Sequence, residues 1–253
     1  MGNAVIEVSG GGYIIAGYSN SPHISSGNTD VYLIKIDSYG NLIWHKGYGK
    51  AEFPHHEWAF DVVEAPDQSL LVVGARDYYG EQKRNNLVLR IASDGNLLWE
   101  KELHEFGAVD EVAYSISHTN NGNYFVCSMV NSLSDPELYK PRIIKIDVEG
   151  NIDWQRTFLA NGKEYHRFSA SSTSSGGIVL VGTNSEEVAQ GYDENAFMLK
   201  VDESGNIIWS QPYGTYDNDD WGWSVFETPQ TNLIFVGATK SFGASLFDVY
   251  LVG

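Results

Sequence analysis

Four copies of one five-residue pattern constrain this chain more than anything else in it. Gly40-Asn41-Leu42-Ile43-Trp44 recurs as Gly95-Asn96-Leu97-Leu98-Trp99, Gly150-Asn151-Ile152-Asp153-Trp154 and Gly205-Asn206-Ile207-Ile208-Trp209, so the tryptophans stand 55 residues apart. A period of this size means a single supersecondary unit in tandem, each copy too small to bury its apolar face alone. Ahead of each tryptophan runs a β-rich segment with one basic residue at constant distance, namely Lys35, Arg90, Lys145 and Lys200. Earlier in each unit lies an apolar run, as in Leu70 to Val73, Tyr124 to Cys127, Ile178 to Val181 and Leu233 to Val236, and before it a further short strand such as Ala59 to Val63 or Trp223 to Glu227. A fifth copy begins its third strand at Asp248-Val249-Tyr250-Leu251.

Each unit is therefore predicted to hold four strands, A to D, of about five to seven residues, with turn signals between them and no helical period. The C to D connection is the clearest turn. In Asp37 to Asn41, and again in Asp147 to Asn151 and Asp202 to Asn206, the Asp can accept from backbone two residues on while Gly takes a positive φ. The same residues lack the alternating ligands and distal Glu of a calcium loop.

Four antiparallel strands repeated radially make the blade of a β-propeller. The expectation is all-β: a single domain over 1–253, five-bladed, with blades at approximately 4–56, 57–110, 111–165, 166–219 and 220–253, the last lacking its outer strand. Stacked sheets need large residues facing small ones, and the A strands offer Phe60, Tyr114, Phe168 and Trp223 beside Ala59, Ala113 and Gly222, with Arg167 breaking the series. Each repeat tryptophan is expected to wedge between sheets, burying on the order of 150–250 Å², or roughly 4–6 kcal/mol as an upper bound.

Gly11 to Gly17 (Gly-Gly-Tyr-Ile-Ile-Ala-Gly) followed by Asp30 to Trp44 (Asp-Val-Tyr-Leu-Ile-Lys-Ile-Asp-Ser-Tyr-Gly-Asn-Leu-Ile-Trp) resembles the propeller repeats of bacterial and archaeal secreted or surface proteins. More remotely, Ile-Asp-x-x-Gly-Asn-x-x-Trp is similar to the tryptophan-docking repeat of quinoprotein (PQQ-type) propellers, although their vicinal cysteine pair and cofactor motif are not found here. The first resemblance implies an extracellular, cell-surface or periplasmic setting and a binding or scaffold role.

Sixteen Lys and Arg against 33 Asp and Glu give a formal charge of −17, a field that repels phosphate backbones and anionic lipid and argues against nucleic acid and membrane partners. No apolar run reaches the length of a membrane span, and no leader peptide is recognisable at Met1. The one cysteine, Cys127, sits in an apolar run and reads as a small buried hydrophobe.

Aligned on the repeat, Val5 to Val8 is the first A strand and Gly253 falls at the position of Lys35. Three outcomes are open: a ring whose last blade has three strands, which is favoured; a piece of a longer propeller; or an exposed C-strand edge that recruits a second chain. A monomer is the expectation, with a dimer through that edge as the alternative.

Function in such a scaffold belongs to the loops joining D to A and B to C, because the blades are committed to packing. The candidates there are His55, His56, Glu57, Asp110, Glu111, His166, Arg167, Asp217, Asp219, Asp220 and Trp221. Glu57, Glu111 and Asp220 share one repeat position, so mutual repulsion would raise their pKa values or favour a divalent cation, Ca²⁺ being the one cofactor suggested. The competing expectation is that each carboxylate serves only its own blade.

A hydrolytic arrangement could use Asp217, Asp219 and Asp220, or His56 with a carboxylate, but no G-x-S-x-G nucleophile motif is present. Tyr48, Tyr213, Tyr216 and Trp221 would suit sugar stacking. The expectation is a non-enzymatic binding or scaffold module for a protein or carbohydrate. A lectin-like glycan binder with a bound divalent cation is the alternative, and a glycoside-acting enzyme the more distant one.

Overall fold

The computed structural model describes residues 1–21, 28–49, 55–78, 83–104, 108–132, 135–158, 164–188, 191–215, 218–242 and 248–252. Within them lie nineteen strands and no helix. The chain divides into two compact units, one comprising Met1–Ile116 with Val148–Asn151, the other Ser117–Asp147 with Ile152–Gly253.

In the first unit, β1 (Gly2–Glu7), β2 (Tyr13–Ser19), β3 (Asp30–Ile36) and β4 (Leu42–Tyr48) pair in chain order as one antiparallel sheet. A second antiparallel sheet follows in the same order: β5 (His55–Glu64), β6 (Leu70–Tyr78), β7 (Lys83–Ile91) and β8 (Leu97–Leu103). The third repeat opens with β9 (Ala108–His118), tacked in parallel to β7 at Arg84 and Asp110.

In the second unit, β10 (Tyr124–Ser132), β11 (Asp135–Ile146) and β12 (Ile152–Thr157) continue that repeat. Next come β13 (Glu164–Ser172), β14 (Ile178–Val188), β15 (Gly191–Val201) and β16 (Ile207–Tyr213), and then a three-stranded sheet of β17 (Asp220–Glu227), β18 (Leu233–Thr239) and β19 (Asp248–Val252). The expected A-B-C-D pattern and the three-stranded last sheet are both present.

Several strands exceed the expected length. β14 and β15 each run 11 residues because their ladder continues through Ser185–Glu194, Glu186–Asp193 and Glu187–Tyr192. Those residues are polar, so they carry no apolar alternation to mark them as strand.

The core of the first unit forms between its two sheets. Ile14, Ala16, Val31 and Leu33 from one meet Val62, Leu70, Val72, Leu87, Leu89 and Ile91 from the other, all at most 2 % exposed. Ala59 and Ala113 are fully buried, and a Cβ at Gly222 would lie 2.5 Å from Val181 Cγ2, so the small positions of the A strands are sterically required. Phe60 and Tyr114 pack with ring centroids 5.1 Å apart. Cys127 is buried, as its apolar surroundings predict.

The tryptophans do more than wedge cores. Each is only half-buried; Trp44 and Trp209 pack against core clusters, and Trp44, Trp99 and Trp154 lie on the C to D turn of the following repeat. A Cβ on Gly95 would sit 3.3 Å from Trp44, one on Gly150 2.8 Å from Trp99, and one on Gly205 2.9 Å from Trp154. Trp44 Nε1 donates to Ser93 O at 3.2 Å, and Trp154 Nε1 to Glu203 O at 3.1 Å.

Two residues beyond each tryptophan a cation completes the clasp. Lys46 reaches Asn96 Oδ1 at 2.9 Å, Lys101 reaches Asn151 Oδ1 at 3.3 Å, and Arg156 reaches Asn206 Oδ1 at 3.0 Å. The Gly-Asn of one repeat is thus the seat for the Trp-x-Lys/Arg of the repeat before it. Through this contact the turn 148–151 belongs with the first unit.

The turns close as the sequence predicts. Asp37 accepts from the backbone of Tyr39 at 2.9 Å and of Asn41 at 2.8 Å, and Asp202 from Ser204 and Asn206 at 2.9 and 2.8 Å. The Asn41 side chain holds the Asp37 carboxyl below its ordinary 3.8, and the Asn206 backbone and side chain do the same for Asp202.

Two outcomes are expected. Gly40 and Gly150 occupy the same motif position at φ 85° and 72°, but Gly40 has nothing within 4 Å of a Cβ. Alanine strains both backbones alike, so Gly150→Ala should cost about 1–2 kcal/mol more than Gly40→Ala in denaturant unfolding, the excess being overpacking against Trp99. The second concerns pH: a folded-state pKa below the unfolded one adds stability above the ordinary carboxylate range that is lost as pH falls through the folded value. An Asp37→Asn, Asp202→Asn double variant should therefore show a shallower fall in Tm between roughly pH 5 and pH 3 than the parent.

Candidate functional site

The candidate residues gather where strand A begins, beside the starts of C strands, and each unit has its own cluster. In the first unit, β5 enters beside β3: the Glu57 amide donates to Thr29 O at 2.7 Å, and His56 Nδ1 accepts from the Thr29 amide at 3.2 Å. His56 stacks on Trp58 at 5.9 Å, and His55 meets Tyr78 edge-on at 4.7 Å.

The Glu57 side chain is 1 % exposed and paired with Arg76 Nε at 2.9 Å. Arg76, itself 2 % exposed, also donates to Glu102 at 2.6 Å and Glu100 at 3.2 Å. Tyr78 OH and Asn85 Nδ2 close on Glu102 at 2.7 and 2.6 Å. One guanidinium thus faces three carboxylates in a largely dry site.

The titration directions follow from that arrangement. Burial pushes the Glu57 carboxyl up, and the Arg76 bond and charge only partly offset it, with Asp30 and Glu100 adding to the rise. Burial acts the same way on Glu102, but the bonds from Tyr78, Asn85 and Arg76 outweigh it and hold that carboxyl below its usual range. Tyr78 is pushed up to about 12 by burial and then by Glu102. Nearby, Arg84 forks onto Asp110, with Nε to Oδ1 at 2.6 Å, and Glu111 is 1 % exposed.

In the second unit the cluster forms where β15, β16 and β17 meet. Asp220 is fully buried, and its Oδ2 accepts from Ser241 Oγ and from the Thr215 amide at 3.4 Å. Gly214 lies so close that a Cβ there would be 2.4 Å from Asp220 Oδ2 and 2.1 Å from Asn195 Oδ1. Asn195 Nδ2 in turn donates to Asp193 Oδ2 at 2.8 Å. Each of these two buried aspartates keeps one oxygen, Asp220 Oδ1 and Asp193 Oδ1, without a hydrogen-bond donor among the described residues. Trp221 is oriented by its Nε1 bond to Glu194, and Asp219 is held by Lys240 at 2.5 Å.

The backbones of His166 and Arg167 lie in β13, but their side chains, like all of Asp217, fall outside the described residues. Among the described residues no three His, Cys, Asp or Glu side chains come together to hold a metal ion. Sequence reasoning missed Arg76, Glu100, Glu102, Asp193 and Asn195. The signal for Arg76 was available in the register: Ser19, Asn184 and Thr239 stand at its position in other repeats, so a charge there is an exception to the pattern.

Arg76→Met should destabilise the fold by about 3 kcal/mol, since it leaves buried carboxylate charge uncompensated. The carboxyls would then be raised in the folded state, so the stability deficit should grow as pH rises above roughly 4.5 and shrink on acidification. Chemical denaturation of both proteins at two pH values checks magnitude and sign together.

No family model matches the sequence, and no curated protein does. Solved structures do match in shape. A protein of unknown function from Dyadobacter fermentans superposes with a TM-score of 0.67 at 10 % identity, covering 93 % of this chain and 74 % of that one. An α-L-arabinanase from Penicillium chrysogenum, solved with arabinobiose, gives 0.58 at 8 %, covering 97 % and 76 %. An endo-arabinase from Bacteroides thetaiotaomicron gives 0.53 at 11 %, covering 95 % and 89 %. At these identities the likeness speaks for architecture alone, and with the repeated antiparallel sheets it makes the fold a β-propeller.

Proposed function

We propose that the chain is a five-bladed propeller module that binds carbohydrate without turning it over, its ligand seated against Asp193, Asp220 and Trp221. The observation that carries this reading is the pair of buried carboxylate oxygens with no donor among the described residues. A buried acceptor left without a donor is costly, and a ligand rich in hydroxyl donors relieves that cost. Sugars are such ligands, and the indole of Trp221, the residue after Asp220 and fixed through Glu194, offers an apolar surface for a pyranose or furanose face. With a charge of −17 the module favours neutral or basic glycans over acidic ones. Two solved structures of similar shape are named as arabinanases, one of them complexed with arabinobiose, which supports the ligand class. The setting implied by the sequence resemblance, outside the cytoplasm, fits it too.

A glycoside-acting enzyme is the second reading, favoured by Glu57: a carboxyl raised by burial beside another acid is what a general acid requires. Its bond to Arg76 argues for a structural role instead.

The test is a glycan array followed by calorimetry on the strongest hits, with reducing-end release measured in parallel. Neutral oligosaccharides should bind, no reducing ends should appear, and Trp221→Ala should weaken binding about tenfold, the equivalent of roughly 1.4 kcal/mol of lost stacking. Release of reducing ends that Glu57→Gln abolishes would replace binding with hydrolysis. Absence of any glycan binding, or binding indifferent to Trp221 and Asp193, would remove the proposal.

A further inference from the structure

The repeat register tells which cation answers each buried acid in the first unit. Glu57 of strand A stands opposite Arg76 of strand B, and the guanidinium meets the carboxylate at 2.9 Å. Where the third repeat follows the second, strand C opens with Lys83 and Arg84, and Arg84 forks onto Asp110 of the next strand A. Both acids are thereby compensated from inside the chain.

The same positions in the second unit carry no cation. Asp220 of strand A stands opposite Thr239, at the place of Arg76. Counted along strand C from the residues that pair with Trp99 and Trp209, Asp193 and Glu194 stand where the second repeat has Lys83 and Arg84. Lys240, beside Thr239, is paired with Asp219. Asp220 is fully buried and Asp193 is 4 % exposed, yet both accept from neutral groups alone: Ser241 Oγ and the Thr215 amide for one, Asn195 Nδ2 for the other. Among the described residues no donor reaches Asp220 Oδ1 or Asp193 Oδ1.

A buried charge without a counter-charge costs far more than a neutral acceptor without a donor. Hydroxyls satisfy the oxygens and leave the charge standing, whereas a cation on the ligand removes both costs. An ammonium, with three N–H donors and no acceptor, matches a pair of carboxylate oxygens.

We infer that the ligand seated at Asp193 and Asp220 carries a protonated amine, which makes it a glycan with free amino groups. The inference rests on the carbohydrate reading above and narrows its ligand class. The amine supplies to Asp220 the positive charge that Arg76 supplies to Glu57.

Calorimetry with two matched probes tests it: a β-1,4-linked glucosamine oligomer and its fully N-acetylated counterpart, compared at about pH 5.5, below the ordinary range of an amine. The parent should bind the free-amine oligomer about tenfold more tightly or better. Since a chain of charge −17 attracts any cation, variants of equal charge separate the site from the general field. Asp193→Asn with Asp220→Asn should abolish the preference, and Asp193→Asn alone should weaken it if the double variant fails to fold by circular dichroism. Asp37→Asn with Asp202→Asn, at exposed turns, should keep it. Equal affinity for the two oligomers would overturn the amine and leave a carbohydrate site in place. A preference that the turn variant loses as fully as the site variant would overturn it in favour of overall charge. Binding of neither oligomer would overturn it as well, and the glycan array then decides separately whether the carbohydrate reading stands.

Discussion

The clasp between consecutive repeats governs this structure: an indole lying on a glycine, its N–H on a turn carbonyl at Trp44 and Trp154, and a Lys or Arg two residues on reaching an Asn. Trp44, Trp99 and Trp154 each make the indole contact, and Lys46, Lys101 and Arg156 each make the cationic one. The contact is specific because both halves are demanding. A side chain on the glycine would collide with the ring, and the positive φ that shapes the turn is one glycine adopts without strain. Every inner repeat carries a seat and a knob, which is why a spacing of 55 residues is held so strictly.

Strand order, turn positions and the three-stranded last sheet were legible in the sequence because they repeat. Partners were harder to read. Gly-Asn-x-x-Trp looks like one local motif, yet its glycine serves the preceding tryptophan and its tryptophan the following glycine, some fifty residues away. The cation after each tryptophan repeats just as faithfully, but without coordinates nothing ties Lys46 to Asn96. Strand lengths were underestimated for another reason: beyond the core the β14–β15 hairpin is held by backbone bonds alone, and side chains such as Glu186 and Asp193 leave no alternation to detect.

The site was least legible because it is where repetition fails. Glu57, Glu111 and Asp220 share a position and are all buried, yet what surrounds them is particular to each. Arg76 answers Glu57 from a neighbouring strand where other repeats place Ser19, Asn184 or Thr239, and Gly214 brings Asn195 against Asp220 by backbone proximity. Residues that maintain a repeat must be alike, whereas residues that recognise one ligand need not be. Departures from the period are therefore better pointers to chemistry than the period itself.

Burial without pairing occurs in both clusters, and what surrounds it differs between them. Around Arg76 most of the carboxylate oxygens are answered by donors within the chain, which suits a structural network that fixes how β5 enters its sheet, although Glu57 Oε2, like Asp220 Oδ1, has no donor among the described residues. Around Asp220 the chain supplies donors to one oxygen and leaves the other without one, although hydroxyls such as Thr215 Oγ1 stand close by and bond to Ser241 instead. A network serving stability alone would gain by satisfying that oxygen from the residues already at hand. Two such oxygens, on Asp193 and Asp220, are the physical reason to look for a ligand in the second unit, whereas the first-unit cluster, which holds one on Glu57, is organised around the Arg76 guanidinium.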